Sequence, residues 1–310
     1  MDNFFIVTLL STAVMAGTPL LFAALGEILA EKSGVINLGV EGMMLVGAVA
    51  GFIVSVATQN LWLAVLTSLI AGGLMALIHA FLTITLRANQ VVCGLALTIF
   101  GTGFSGFLGK SYVGIPAPVS FKAFTVPILG DLPIIGPIFF RQDALVYVSF
   151  LLVIVLALLL YKTHWGLSLQ AVGENPAAAD TVGINVFRVR YISVIVGGML
   201  AGLGGAYLSL AYAPSWLENM TAGRGWIAVA LVIFATWNPT KCLAGSYIFG
   251  GLEALGFRIQ TRGIDISPFF LQMLPYIATI LVLIMATRET KNHRVSSPKA
   301  LSIPYNREER

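Results

Sequence analysis

Apolar stretches of about twenty residues recur along this chain, and each matches the length of helix needed to cross the ~30 Å hydrocarbon layer of a bilayer. Runs of this kind lie at about 4–29, 35–58, 61–86, 91–109, 144–161, 191–213 and 269–287. A helix satisfies its own backbone hydrogen bonds, which hydrocarbon demands. Composition agrees: of 310 residues, 57% are hydrophobic and 10% charged, whereas soluble domains carry about a quarter charged residues. Two shorter runs, about 226–239 and 242–257, are separated by Asn238-Pro239-Thr240-Lys241. They form either two tilted short spans or a re-entrant hairpin, and irregular backbone at membrane depth is tolerated where protein buries it or it lines a cavity. The expected fold is an all-α integral membrane protein, a polytopic bundle of about 8 spans with a short or re-entrant helix pair near the C-terminal third. Pro19 and Pro275 are expected to kink their spans. Gly47-x-x-x-Gly51 and Gly198-x-x-x-Gly202 place small residues on one helix face, so that helices approach closely.

Lysine and arginine set the orientation. With residues 162–190 and the tail after 287 in the cytoplasm, twelve of the 18 Lys and Arg fall inside and six outside, which puts the N-terminus outside and the C-terminus inside. Residues 1–287 then form one transmembrane domain and 288–310 a basic cytoplasmic tail, polar and loosely ordered. Met1-Asp2-Asn3-Phe4 has no basic run, so a cleaved signal peptide is not expected. The net charge of +4 follows from topology and implies no nucleic acid partner. Between Lys110 and Arg141 five prolines punctuate an apolar outer loop, which is either a docking surface for an external protein or a lid packed on the bundle.

The polar interruption from Lys162 to Arg190 contains a short helix with start and stop signals. Asn175 is a good N-cap, Pro176 fits the first helical position, and Gly183 can adopt the left-handed conformation that ends a helix. About two turns are not stable alone in water. A short helix held out of the membrane on a cytoplasmic loop is what a transport motor would grip. Other motifs are misleading. Gly101-x-Gly103-x-x-Gly106 lies inside a membrane-length run without βαβ context, so it does not mark a dinucleotide site. Five residues separate Gly103 from Gly109-Lys110-Ser111 where a P-loop has four, so this chain is not expected to bind ATP. No HExxH, GxSxG or CxxC is present, and Cys93 and Cys242 read as packed thiols. No enzymatic chemistry, metal site or cofactor of its own is expected.

The informative exceptions are polar groups in the oil. Asn37 and Glu41 are four residues apart, hence on one face if that segment is helical. His79 lies within the third run, and Glu253 has Gln260 seven residues further on. Isolated charges at such depth cost about 2.5–3.5 kcal/mol or more and normally face a partner or a water-filled path. Either these residues make interhelical hydrogen bonds that fix packing, or they line a translocation path. Such a path would suit a neutral polar substrate with a flat ring, stacked by Phe100, Phe104, Trp226 or Trp237.

Leu25-Gly-Glu-Ile, continuing through Glu31-Lys-Ser-Gly-Val-Ile-Asn-Leu-Gly-Val-Glu-Gly-Met-Met, resembles the opening signature of bacterial ABC-transporter permeases for nucleosides. These belong to the wider simple-sugar and branched-chain amino acid importer group. Ala171-Val-Gly-Glu-Asn-Pro-Ala-Ala-Ala-Asp-Thr-Val-Gly-Ile-Asn resembles that family's cytoplasmic coupling loop. Phe249-Gly-Gly-Leu-Glu-Ala-Leu, then Gln260, then Leu274-Pro-Tyr resembles its C-terminal part. The likeness covers about 20 to 287 in matching order. It implies a permease of the bacterial plasma membrane, paired with a second similar permease, a cytoplasmic ATPase that brings ATP and Mg, and a cell-surface substrate-binding lipoprotein. The coupling helix would comprise Glu174, Asn175, Pro176, Ala177, Ala178, Ala179, Asp180, Thr181 and Gly183. Sugar permeases of the group usually carry Asp and Ser where this chain has Asn37 and Glu41, and a glycine-rich turn where it has Trp237-Asn-Pro-Thr-Lys. Both departures incline the reading toward nucleosides over sugars such as ribose. The rival from another class is an ion-coupled secondary transporter with Glu41, His79 and Glu253 as proton carriers.

Overall fold

Helices form where the apolar runs lie, and the departures occur where polar side chains hold irregular backbone. The computed structural model describes residues 2–261, 268–289 and 297–307. Its helices are α1 (Asp2–Lys32), α2 (Val40–Thr58), α3 (Leu61–Ala80), α4 (Gln90–Gly109), α5 (Ile135–Phe139), α6 (Ala144–Lys162), α7 (His164–Glu174), α8 (Pro176–Thr181), α9 (Val186–Tyr207), α10 (Arg224–Phe234), α11 (Pro239–Thr261) and α12 (Pro268–Glu289). α3 and α9 each end in a five-residue π turn, Phe81–Thr85 and Leu208–Tyr212. In the connection between α4 and α6, β1 (Phe124–Thr125) pairs antiparallel with β2 (Arg141–Gln142).

Among the described residues, six helical segments are long and apolar enough to cross a membrane, and α11 (23 residues) and α12 (22 residues) bring those of crossing length to eight. The expected short pair is unequal. α10 has 11 residues, but α11 is full length, because the polar Thr240, Lys241, Arg258 and Gln260 at its ends are helical too. The side chain of Asn238 accepts from the N–H of Thr240 (2.9 Å), starting α11 at Pro239. The helices run unbroken through Pro19 and Pro275.

α1, α2 and α9 form the centre, and their contacts depend on glycine. A Cβ on Gly47 would come 2.5 Å from Cα of Gly202, and one on Gly42 would come 2.6 Å from the Leu97 carbonyl of α4. Both expected small-residue motifs are therefore used for close helix approach. Large apolar side chains such as Leu66, Ile70 and Leu74 of α3, Ile99 and Phe107 of α4, and Leu151 and Ile154 of α6 point outward, as lipid-facing residues must.

Two expectations are corrected. Residues 33–39 are not helical, so Asn37 and Glu41 do not share a helix face. Backbone groups of this break are satisfied from neighbouring helices. Gln90 accepts from the Ile36 N–H (2.8 Å), Thr98 donates to the Leu38 carbonyl (2.9 Å), and Arg190 Nε donates to the Ser33 carbonyl (3.1 Å). The tail was expected to be loosely ordered, yet residues 297–307 pack back on the bundle. The Ala300 N–H donates to the Gly173 carbonyl (2.9 Å) and the Ser302 N–H to the Gly34 carbonyl (3.2 Å). Tyr305 is buried against Phe187, with ring centroids 5.9 Å apart. Apolar Leu301 and Tyr305 supply the adhesion that a count of charges hides.

Candidate functional site

Two helices begin inside the bundle. Gly42, in the first turn of α2, lies against Leu97 and Thr98, about 10 Å up α4 from its start at the helical rise. Beside it α10 begins after a non-helical descent through residues 213–223. The first N–H groups of a helix have no internal partners and concentrate positive charge. Glu41, 4% exposed, supplies the acceptors for α10. Its Oε1 accepts from Thr221 Oγ1 (2.5 Å) and the Gly223 N–H (2.8 Å), and its Oε2 accepts from the Gly225 N–H (2.5 Å). A Cβ on Gly225 would come 2.6 Å from Cα of Glu41, so glycine is what lets the carboxylate reach the backbone.

The next residue of that helix start faces the other way. Arg224 forms an ion pair with Glu253 of α11, and its guanidinium lies 5.9 Å from the ring centroid of Tyr212. The Tyr212 hydroxyl donates to Glu253 at 3.5 Å. This pair borders a cavity of about 340 Å³, also lined by Ile227, Phe257, Gln260 and Tyr276. Tyr276 of α12 closes one side by donating to the Ala222 carbonyl (2.9 Å). The cavity offers a cation, a carboxylate, an amide and aromatic faces, the mixture that orients a small polar ring.

The expected path residues thus divide. Glu253 and Gln260 meet at the cavity, Glu41 lies one residue behind it as the cap of α10, and Asn37 and His79 belong to the break between α1 and α2. Asn37 Oδ1 accepts from the Gly39 N–H (3.1 Å), while His79 Nε2 lies 2.9 Å from the Ile36 carbonyl. Phe100 and Phe104 stack on each other at 5.4 Å, and Trp237 donates to Glu31 at 2.6 Å; neither they nor Trp226 line the cavity. Sequence reasoning missed Arg224, Tyr212 and Tyr276. The available signal was Gly223-Arg224-Gly225, a cation between glycines just before a short apolar run.

The segment between α6 and α9 holds α7 and α8. Asn175 accepts from the Ala178 N–H (3.0 Å), Pro176 occupies the first helical position, and Gly183 has φ +88°. The Ile184 N–H donates to the Ala179 carbonyl (3.0 Å), closing the helix. Ala179 is buried, while Glu174, Asn175, Ala177, Ala178, Thr181 and Gly183 are exposed. Val182, 76% exposed, is an apolar residue presented outward that sequence reasoning passed over.

The model of a family described as the permease component of the branched-chain amino acid transport system matches residues 9–286. The chain belongs to this family. A putative glucose ABC transporter permease protein of Haloferax volcanii is 44% identical over 98% of this chain and 99% of its own length. A guanosine ABC transporter permease protein of Bacillus subtilis is 37% identical over 97% of this chain and 98% of its own. In Lactococcus lactis subsp. cremoris, one nucleoside ABC transporter permease protein is 35% identical over 96% of both chains, and a second is 23% identical over 76% of this chain and 68% of its own. No solved structure matches. The protein is therefore an ABC transporter permease, a multi-pass membrane subunit that carries substrate and is not an enzyme.

Proposed function

We propose that this permease is one transmembrane half of an ATP-driven importer for nucleosides, with α8 as the helix gripped by a cytoplasmic ATPase. The observation that carries the reading is α8 itself: six residues, capped at both ends, seated on Ala179, with Ala177, Ala178 and Thr181 exposed. ATP and Mg would be bound by the ATPase, none by this chain. A second, different permease would complete the membrane part, as the two permease proteins named in Lactococcus suggest. A substrate-binding lipoprotein would deliver cargo from outside. In this arrangement the N-terminus is external and residues 297–307 are cytoplasmic. The path would run past Arg224, Glu253 and Gln260, whose cavity suits a flat polar ring. Movement of α8 with the ATPase would shift the bundle between outward- and inward-open states, because the motor binds those states differently.

The relative from Haloferax volcanii favours a second reading, a sugar as cargo. Uptake of labelled guanosine and labelled glucose, side by side in cells expressing the whole transporter, separates the two. A cysteine at Val182 should cross-link to the ATPase, and Ala178→Trp should abolish uptake with membrane insertion intact. An ATPase that never cross-links there, or uptake sustained by an ion gradient without ATP, removes the proposal.

A further inference from the structure

Asp180 is the one acidic residue of α8, and it is turned toward this chain's own tail. Its side chain is 11% exposed, and its Oδ2 accepts from the Tyr305 hydroxyl and from Arg307 Nε, both at 3.0 Å. Tyr305 lies against Phe187 of α9, so its hydroxyl reaches α8 from a wedged ring rather than from a free end. Further back, the tail is bonded through Ala300 to Gly173 of α7. It also touches the break after α1 through Ser302 to Gly34, and its Ile303 carbonyl accepts from Nη1 of Arg190 of α9 (3.2 Å), whose Nε holds the Ser33 carbonyl of that break. One strand of chain thus ties the short helix to the segment that leads into Glu41 and the start of α10.

We propose that residues 297–307 act as a strap that fixes the attitude of α8, with Asp180 as a positioning residue that holds the strap rather than a contact to the ATPase. This rests on the reading of α8 as the docking helix. A six-residue helix has too little structure to transmit a push without support. Because the strap also bonds to the α1–α2 break, it offers a mechanical connection from the motor's grip to the mid-depth helix starts.

A cycle in the full transporter tests this. Ala300 is buried, so an Ala300→Cys thiol should react slowly with a maleimide, the labelled peptide being identified by mass spectrometry. Tyr305→Phe with Arg307→Ala should raise that rate by about tenfold, the scale expected for loss of charge-assisted bonds at a local opening, and should lower uptake several-fold. Asp180→Ala should do the same in the full chain, Asp180→Glu should retain most activity, and Asp180→Ala should have no further effect in a chain ending at residue 296. Unchanged labelling overturns the strap. An equal loss from Asp180→Ala with and without the tail assigns Asp180 to the motor and also overturns it. Failure of the Val182 cross-link in the otherwise unmodified chain overturns the docking reading alone.

Discussion

Glu41 shows how much one buried carboxylate can organise. Its three bonds go to Thr221 and to the N–H groups of Gly223 and Gly225, and a buried donor left without an acceptor costs about 1–3 kcal/mol. Glu41→Ala should therefore lower stability by on the order of 3–5 kcal/mol, read as a fall in the detergent thermal-unfolding midpoint. Glu41→Gln keeps one acceptor oxygen but turns an N–H₂ toward a backbone donor, and should lose part of that. If both variants melt like the parent, the cap is not what Glu41 does. Ionisable residues in apolar runs pointed to Glu41, Glu253 and His79 because charge in oil is conspicuous. Their partners were hidden, since Glu41 and His79 engage backbone groups, which no residue type announces.

At the scale of elements, α8 was legible down to its caps because capping chemistry is local: Asn175, Pro176 and Gly183 each fit one backbone position. The start of α2 was not, because Val35 and Ile36 are as apolar as the helix that follows, and what unwinds the segment is supplied by distant Gln90, Thr98 and Arg190. Two glycines separate local from tertiary demands. Gly183 has φ +88° and open space around it, so Gly183→Ala should cost only the left-handed strain, ~1–2 kcal/mol, and Gly183→Asn less. Gly205 has an ordinary φ, but any Cβ there would overlap the Met44 carbonyl of α2. Backbone cannot swing aside, so Gly205→Ala should force α2 and α9 apart and cost more than about 3 kcal/mol. Yield of monodisperse protein on size-exclusion chromatography would rank them, and a Gly205→Ala variant that behaves like the parent would refute the interlock.

For the whole molecule, the question is whether the polar groups joining α10, α11 and α12 serve packing or passage, and stability and transport can be made to answer separately. Arg224 and Glu253 are 14% and 17% exposed, so removing either leaves an opposite charge largely buried without its partner, at a cost of up to about 3–5 kcal/mol. Removing both takes away the attraction and the burial penalty together. Arg224→Ala and Glu253→Ala should each lower the unfolding midpoint, and the double variant should recover much of the loss, giving a coupling energy of about 0.5–3 kcal/mol. A pair that only fixes packing predicts that uptake recovers in step with stability. A pair that lines the path predicts that the double variant is well folded, keeps its ATPase, and still fails to transport, since the cavity then lacks both the cation and the carboxylate that would orient a substrate ring. Uptake restored to the parent's rate in the double variant would move the path away from this cavity, and the capped start of α10 would then serve the architecture alone.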